Sequence, residues 1–198
     1  MPPVTPSDGP VAVTGCAGYI GSHVCLNLVK NGYTVRACVR DAHNFPKTSH
    51  LLQMNNQGYS GSLRLYEADM LIEGSYDSIF KGCSCVFHVA AEMGNLPDST
   101  PMKVYEGGRK AIIPVLDSVK KSGSVKRFIF ISTIKVLGEE TLSGSPFTNN
   151  DSLKPQDPYS VSKAEAEIGL QSIGNNSGMD IVIIRPPLIY GSGAKGNF

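Results

Sequence analysis

Apolar residues in this chain gather in short runs, and the stretches between them repeat an apolar position every three or four residues. The runs cover 11–14, 34–39, 63–67, 85–88, 127–131 and 180–184. Their length and their β-branched and aromatic content predict strands. Between the first two, Ile20, Val24 and Leu28, with Leu26 and Val29 alongside, predict a helix over 20–31 that Asn31-Gly32 closes. The polar stretch 41–57 allows a short helix near His50, Leu51 and Leu52. Helices are also predicted over 74–80, ended by Gly82, and over 102–122, where Pro114 predicts a kink. A last helix is predicted over 158–171, with proline in its first turn. Residues 1–9, rich in proline, read as a disordered lead-in. Strands thus alternate with helices. Near-continuous apolar strands separated by helices imply an α/β fold: a doubly wound parallel sheet with helices on both faces and right-handed connections.

Composition narrows the function only by exclusion. The chain has 198 residues, room for one domain with a core but short for two. Its formal net charge is +1, so charge gives no case for nucleic acid or an anionic membrane. No apolar run approaches the ~20 residues of a membrane span. The N-terminus lacks the basic and apolar regions of a signal peptide, and a cytoplasmic protein is expected. Five cysteines, Cys16, Cys25, Cys38, Cys83 and Cys85, include no Cys-x-x-Cys pair. They read as reduced thiols, and no metal site is expected.

The chemistry begins at Thr14-Gly15-Cys16-Ala17-Gly18-Tyr19-Ile20-Gly21, where three glycines are spaced G-x-x-G-x-x-G between a strand and a helix. Gly15 would let the chain turn, Gly18 would let the backbone approach a pyrophosphate, and Gly21 would let helix and strand pack closely. The helix start would then offer N–H groups and a positive dipole end to phosphate. A glycine-rich turn with no ligand is the bland alternative. At the end of the second strand, an acidic residue would select NAD and a nearby arginine would accommodate the 2′-phosphate of NADP. Here Val39 and Arg40 stand there, with Asp41 one step on. Arg40 can fork onto phosphate and Lys47 can add a point charge, which places NADP ahead of NAD. Otherwise Arg36, Arg40 and Lys47 are solvated surface charges.

Tyr159 and Lys163 lie four residues apart and so share one helix face. A neighbouring ammonium favours the phenolate, so the Tyr159 pKa is expected to fall from ~10 towards neutrality. Such a tyrosine can exchange a proton with a carbonyl or alcohol oxygen. Ser132 and Thr133 end the fifth strand, where ligands of open α/β sheets bind. A hydroxyl there would hold the substrate oxygen, unless it merely caps a turn.

Taken together, the chain resembles the extended short-chain dehydrogenase/reductases, which include nucleotide-sugar epimerases, dehydratases and dihydroflavonol-reductase-like enzymes. The matching pieces are the glycine turn, Ala68-Asp69-Met70, Phe87-His88-Val89-Ala90-Ala91, Ser132-Thr133, the Tyr159/Lys163 pair, Arg185-Pro186-Pro187 and Tyr190-Gly191. The resemblance implies a Rossmann-type fold and NADP, or NAD, as cofactor. It implies Thr133, Tyr159 and Lys163 as catalytic residues. Gly15, Ala17, Gly18, Tyr19, Ile20, Gly21, Arg40, Lys47, Asp69, Met70, Val89, Ala90, Ala91, Lys163, Arg185 and Pro186 would contact cofactor. Asp69 would meet the adenine, and Arg185 and Pro186 would flank the nicotinamide end.

The first half is similar to the dihydroflavonol-reductase-like branch and the second to the epimerase/dehydratases. Where epimerases often carry an asparagine in the helix before the fifth strand, this chain has Val104, so no relay through that residue is expected. Family members continue into a substrate-shaping lobe. Residues 10–198 are therefore expected to form the cofactor domain, with that lobe largely absent. The expected partner is a small-molecule substrate, with a homodimer as an option and neither nucleic acid nor membrane. Two other readings stand beside this one: a non-catalytic dinucleotide-binding module, and a metal or thiol enzyme using Cys83 and Cys85.

Overall fold

The computed structural model describes residues 2–91, 100–139 and 144–193. Six parallel strands form one sheet in the order β3-β2-β1-β4-β5-β6. They are β1 (Val11–Thr14), β2 (Thr34–Val39), β3 (Ser62–Glu67), β4 (Cys85–His88), β5 (Arg127–Ile131) and β6 (Asp180–Ile184). The helices are α1 (Tyr19–Lys30), α2 (Phe45–Leu52), α3 (Asp77–Phe80), α4 (Pro101–Ser122) and α5 (Pro158–Ser177). The fold is the expected Rossmann-type α/β arrangement.

Alternation along β1 explains the two-sided core. Val11 and Val13 face one way and pack with Val35, Ala37, Cys25, Val29 and Leu51 beneath α1 and α2. Ala12 faces the other way and joins Val86, Phe128, Phe130, Phe80, Val115 and Leu170 beneath α3, α4 and α5. All five cysteines are buried, and burial raises the thiols of Cys16, Cys38, Cys83 and Cys85, the last to about 12. Thiols so protonated are poor nucleophiles and poor metal ligands.

Three elements differ from expectation. The lead-in carries a 3-10 turn at Pro6–Asp8 in place of disorder. The Asp8 carboxylate accepts from the Thr5 N–H (2.8 Å) and hydroxyl (2.7 Å), and it pairs with Lys126 (2.9 Å). The Tyr33 hydroxyl also donates to the Val4 carbonyl (2.8 Å), so residues 4–8 are tied to the domain. The helix expected over 74–80 shrinks to the single turn of α3. Its end is held by Arg36, which donates to the carbonyls of Ile79 (2.5 Å) and Lys81 (2.8 Å) and is therefore not a solvated surface charge. The last helix runs on past residue 171 because Ile173 still packs against the core. α4 continues through Pro114 as one helix.

The order of the sheet places the site. β1 pairs with β2 on one side and with β4 on the other, with Thr14 opposite Cys38 and His88. The chain's path reverses direction there, and in open α/β sheets the crevice at that reversal, beyond the strands' carboxyl ends, takes the ligand.

Candidate active site

Thr14 ends β1 fully buried, and its hydroxyl oxygen accepts from the N–H groups of Val89 and Ala90, both at 3.1 Å. The same hydroxyl lies 2.9 Å from Nδ1 of His88. With both lone pairs engaged, the hydroxyl donates to Nδ1, which leaves His88 as the neutral Nε2–H tautomer. Burial, and then the charge of Lys163, push the His88 pKa down to about 3, so the ring stays neutral. One side chain thus fixes the segment after β4 against the end of β1.

The glycine turn sits beside that joint. Gly15 has φ +70°, and a Cβ there would lie 2.8 Å from the Ala90 backbone. Any side chain would push the two strand ends apart. A Cβ on Gly21 would run into the Gly15 carbonyl and lie 2.9 Å from the Cys16 Cα. Helix and turn touch because that atom is missing. Gly18 caps α1 in an extended conformation with no side-chain hydrogen bond, and no acidic residue stands in the helix's first turn. Ala17 and Gly18 are exposed there, while Tyr19 and Ile20 are half-buried. The Gly18 N–H goes to the Gly15 carbonyl (3.1 Å), and the start of this twelve-residue helix offers its first-turn N–H groups and a positive dipole end, as an anion requires.

α5 begins at Asp157, whose carboxylate accepts from the Ser160 N–H (2.9 Å) while the Ser160 hydroxyl accepts from the Asp157 N–H (3.1 Å). That box sets the helix phase that brings Tyr159 and Lys163 to one side. Both line a small cavity with His88, Ala90, Ala91, Gly108 and Phe130. The Lys163 ammonium donates to the Ile131 carbonyl (2.9 Å) and lies 4.6 Å from the Phe130 ring centre. Burial lowers its pKa to about 8, against a raising contribution from Glu167.

The Tyr159 pKa corrects a sequence expectation. It is raised, not lowered, because burial of the phenol outweighs its neighbours and the Asp157 carboxylate adds to the effect. Lys163 does not reverse this: its ammonium sits on the Ile131 carbonyl, 5.9 Å from the Tyr159 ring centre. Thr133 is half-buried, and its hydroxyl oxygen accepts from the Lys135 N–H (3.3 Å), so it both caps a turn and keeps a proton to donate. Its neighbour Ser132 has a buried hydroxyl with no partner among the described residues.

Arg185 turns inward. Its guanidinium grips the fully buried Glu167 carboxylate through Nε (3.1 Å to each oxygen) and a terminal nitrogen (2.7 Å). The sequence reading assigned Arg185 to the cofactor and overlooked Glu167. Pro186 accepts from the Ile134 N–H (2.9 Å), which ties it to the turn that Thr133 starts.

The remaining positions lie at the other end of the crevice. Arg40 and Lys47 are exposed past the end of β2 and on α2. The Asp41 carboxylate accepts from the His43 N–H through one oxygen (2.9 Å). Asp69 closes a turn after β3 by accepting from the Leu71 N–H (2.9 Å), and Met70 packs against the core. So the structure groups Gly15, Val89 and Ala90 at one joint, and Ala90, Ala91, Tyr159 and Lys163 around one cavity. Arg40 lies two residues past Cys38, whose carbonyl accepts from the Cys16 N–H of the glycine turn (3.3 Å), and Lys47 and Asp69 follow on α2 and after β3. Among the described residues no group of three or more His, Cys, Asp or Glu side chains could hold a metal, and no helix is long and apolar enough to cross a membrane.

The chain is similar to known proteins over nearly its whole length. UDP-glucose 4-epimerase of Vibrio cholerae is 35% identical over 191 residues, which cover 95% of this chain and 54% of that protein. Dihydroflavonol 4-reductase of Hordeum vulgare is 33% identical over 195 residues, covering 93% and 54%. The chain spans about half the length of the curated relatives it matches. Among solved structures, UDP-glucose 4-epimerase of Thermotoga maritima with UDP-glucose superposes with a TM-score of 0.72 at 28% identity, covering 89% of this chain and 54% of that one. The model of the NAD dependent epimerase/dehydratase family matches residues 11–198, and the chain belongs to that family.

Proposed function

We propose that this chain carries the cofactor site and the acid/base residues of an NAD(P)-dependent oxidoreductase that moves hydride at a secondary alcohol or ketone. The observation that carries the reading is the joint at the sheet's reversal. Thr14 pins Val89 and Ala90 beside an uncapped helix start, and Ala90 also lines the cavity of Tyr159 and Lys163. An anion-binding turn and a proton-transferring phenol are thereby brought to one crevice.

The residues present fit a dinucleotide. The backbone from Gly15 to Gly21, with Ala17, Gly18, Tyr19 and Ile20, would hold its pyrophosphate. Asp69 and Met70 would border the adenine, Val89, Ala90 and Ala91 the middle, and Lys163 and Pro186 the nicotinamide end. Arg40, with Lys47, would take a 2′-phosphate, while the carboxylates there each accept a backbone N–H, Asp41 from His43 and Glu67 from Ala42. This favours NADP over NAD. Arg185, paired with Glu167, would serve the site through that carboxylate. When bound, the nicotinamide supplies or accepts the hydride.

The protein's share is proton management. The raised pKa of Tyr159 keeps the phenol protonated at neutral pH, the form that donates to a ketone oxygen as it gains charge. In the reverse direction the Lys163 ammonium, 5.9 Å from the Tyr159 ring centre, is only a partial offset to the burial of the phenolate that forms. Thr133 donates its free hydroxyl proton to the same substrate oxygen and orients it. Reduction needs one such pass; epimerisation would oxidise a hydroxyl and reduce the opposite face with cofactor retained.

Tyr159→Phe is expected to abolish turnover and leave dinucleotide affinity within about twofold. An active Phe variant refutes the assignment. A second reading, a dinucleotide-binding module without turnover, is favoured by the seat of Lys163, whose ammonium is spent on the Ile131 carbonyl (2.9 Å). Saturable cofactor binding with no activity on any nucleotide sugar or flavonoid ketone would support it.

A further inference from the structure

Lys163, Glu167 and Arg185 belong to a closed ring of contacts. Starting at β5, the Ile131 carbonyl accepts from the Lys163 ammonium (2.9 Å). One turn along α5 and on the same face stands Glu167, with none of its side chain exposed. Its carboxylate takes the forked guanidinium of Arg185, which is itself only 15% exposed. The backbone on either side of Arg185 then returns to the end of β5. The Ser132 N–H donates to the Ile184 carbonyl (2.8 Å) and the Ile134 N–H to the Pro186 carbonyl (2.9 Å). These two bonds bracket Thr133 as well as Arg185. A buried carboxylate is tolerated only when paired and hydrogen-bonded, so the ring cannot lose one member without stranding another.

The charge balance around Lys163 gives Glu167 a second task. On the β4 side the ammonium meets the neutral His88, and on α5 it meets Tyr159. The parts of α4 and β5 that line its cavity are Gly108, Ala111, Ile112 and Phe130, all uncharged. Among the described residues, Glu167 is thus the anion that offsets the burial of Lys163.

We propose that Glu167, clamped by Arg185, is a positioning residue: it supplies the counter-charge that seats Lys163 beside Tyr159, and it ties the strand end bearing Thr133 to the helix bearing Tyr159. This deepens the proposed oxidoreductase reading but is tested without it. Titration of Lys163 is followed by NMR of 13C-labelled lysine side chains in protein with no added nucleotide, the Lys163 signal being assigned by its loss in Lys163→Met. Glu167→Gln is expected to lower the midpoint by about one pH unit, the lower end of what a neighbouring opposite charge produces. Glu167→Asp, which keeps the charge, is expected to leave it within a few tenths of wild type. If Glu167→Gln does not fold, Glu167→Gln/Arg185→Gln removes both charges together; the lost cation partly offsets the lost anion, so the midpoint is expected to fall by less than in Glu167→Gln but still to lie below wild type. A midpoint that stays put on loss of the charge, or that moves as far in the Asp variant, overturns the proposal. If the wild type binds no dinucleotide, the functional reading fails while this titration still decides the role of Glu167.

Discussion

Replacing Lys163 by methionine should make this protein more stable. Lys163 is 7% exposed, and burial takes its pKa from 10.5 to about 8. That fall corresponds to about 3 kcal/mol against the charged form. Methionine is similar in length, apolar and adaptable, so it removes this cost while filling the space. It also abandons the Ile131 carbonyl, which loses its 2.9 Å donor at a cost of about 1 kcal/mol. The net expectation is about 2 kcal/mol of added stability at pH 7, or a urea midpoint higher by about 1 M. The sign of the pH dependence follows from the lowered pKa. Below pH 8 lysine is charged in both folded and unfolded chains, and the penalty is complete. Between about 8 and 10.5 the unfolded chain binds the extra proton, so wild-type stability gains on the variant as pH rises. Above that range the advantage of methionine is gone. Urea unfolding of both proteins at pH 7, 9 and 10.5 measures this. A Met variant less stable than wild type at pH 7, or a difference that does not change with pH, refutes the reasoning.

Two further substitutions probe the joint at the sheet's reversal. Thr14→Val keeps the shape of the side chain but strands two N–H groups and the His88 Nδ1, so it should lose about 3 kcal/mol, read as a urea midpoint lower by more than 1 M. Gly21→Ala puts a methyl against the Gly15 carbonyl, so it should lose about 1–3 kcal/mol in the same assay and weaken dinucleotide binding at least tenfold; unchanged values in both would mean the turn can relax.

The sheet was legible because each strand is a short apolar run bounded by turn residues, and five of the six runs match the observed bounds: β1, β2, β4, β5 and β6. The end of α5 was not, since Gln171 to Ser177 is polar and glycine-bearing, and its helix rests on contacts the pattern hides: Ile173 on the core and Gly174 against Ile181. The lead-in misled for a similar reason. A proline-rich stretch looks unstructured until Asp8 finds Thr5 and Lys126. At the site, motif spacing picked out the glycine turn and the Tyr159/Lys163 pair. Spacing sees charge but not burial, which is why the Tyr159 pKa was expected to move the wrong way. The roles of Thr14 and His88 depend on a contact 74 residues apart, and that of Glu167 on one 18 residues away. A lone polar residue in an apolar strand or on a buried helix face was the only trace of either in the sequence.

The account rests on a nicotinamide dinucleotide being held at the glycine turn. Equilibrium titration of the purified chain with NADPH and with NADH, followed by nicotinamide fluorescence, tests this directly. Saturable binding of one molecule per chain is predicted, tighter for NADPH, with the preference lost in Arg40→Ala. No saturable binding of either nucleotide would contradict it.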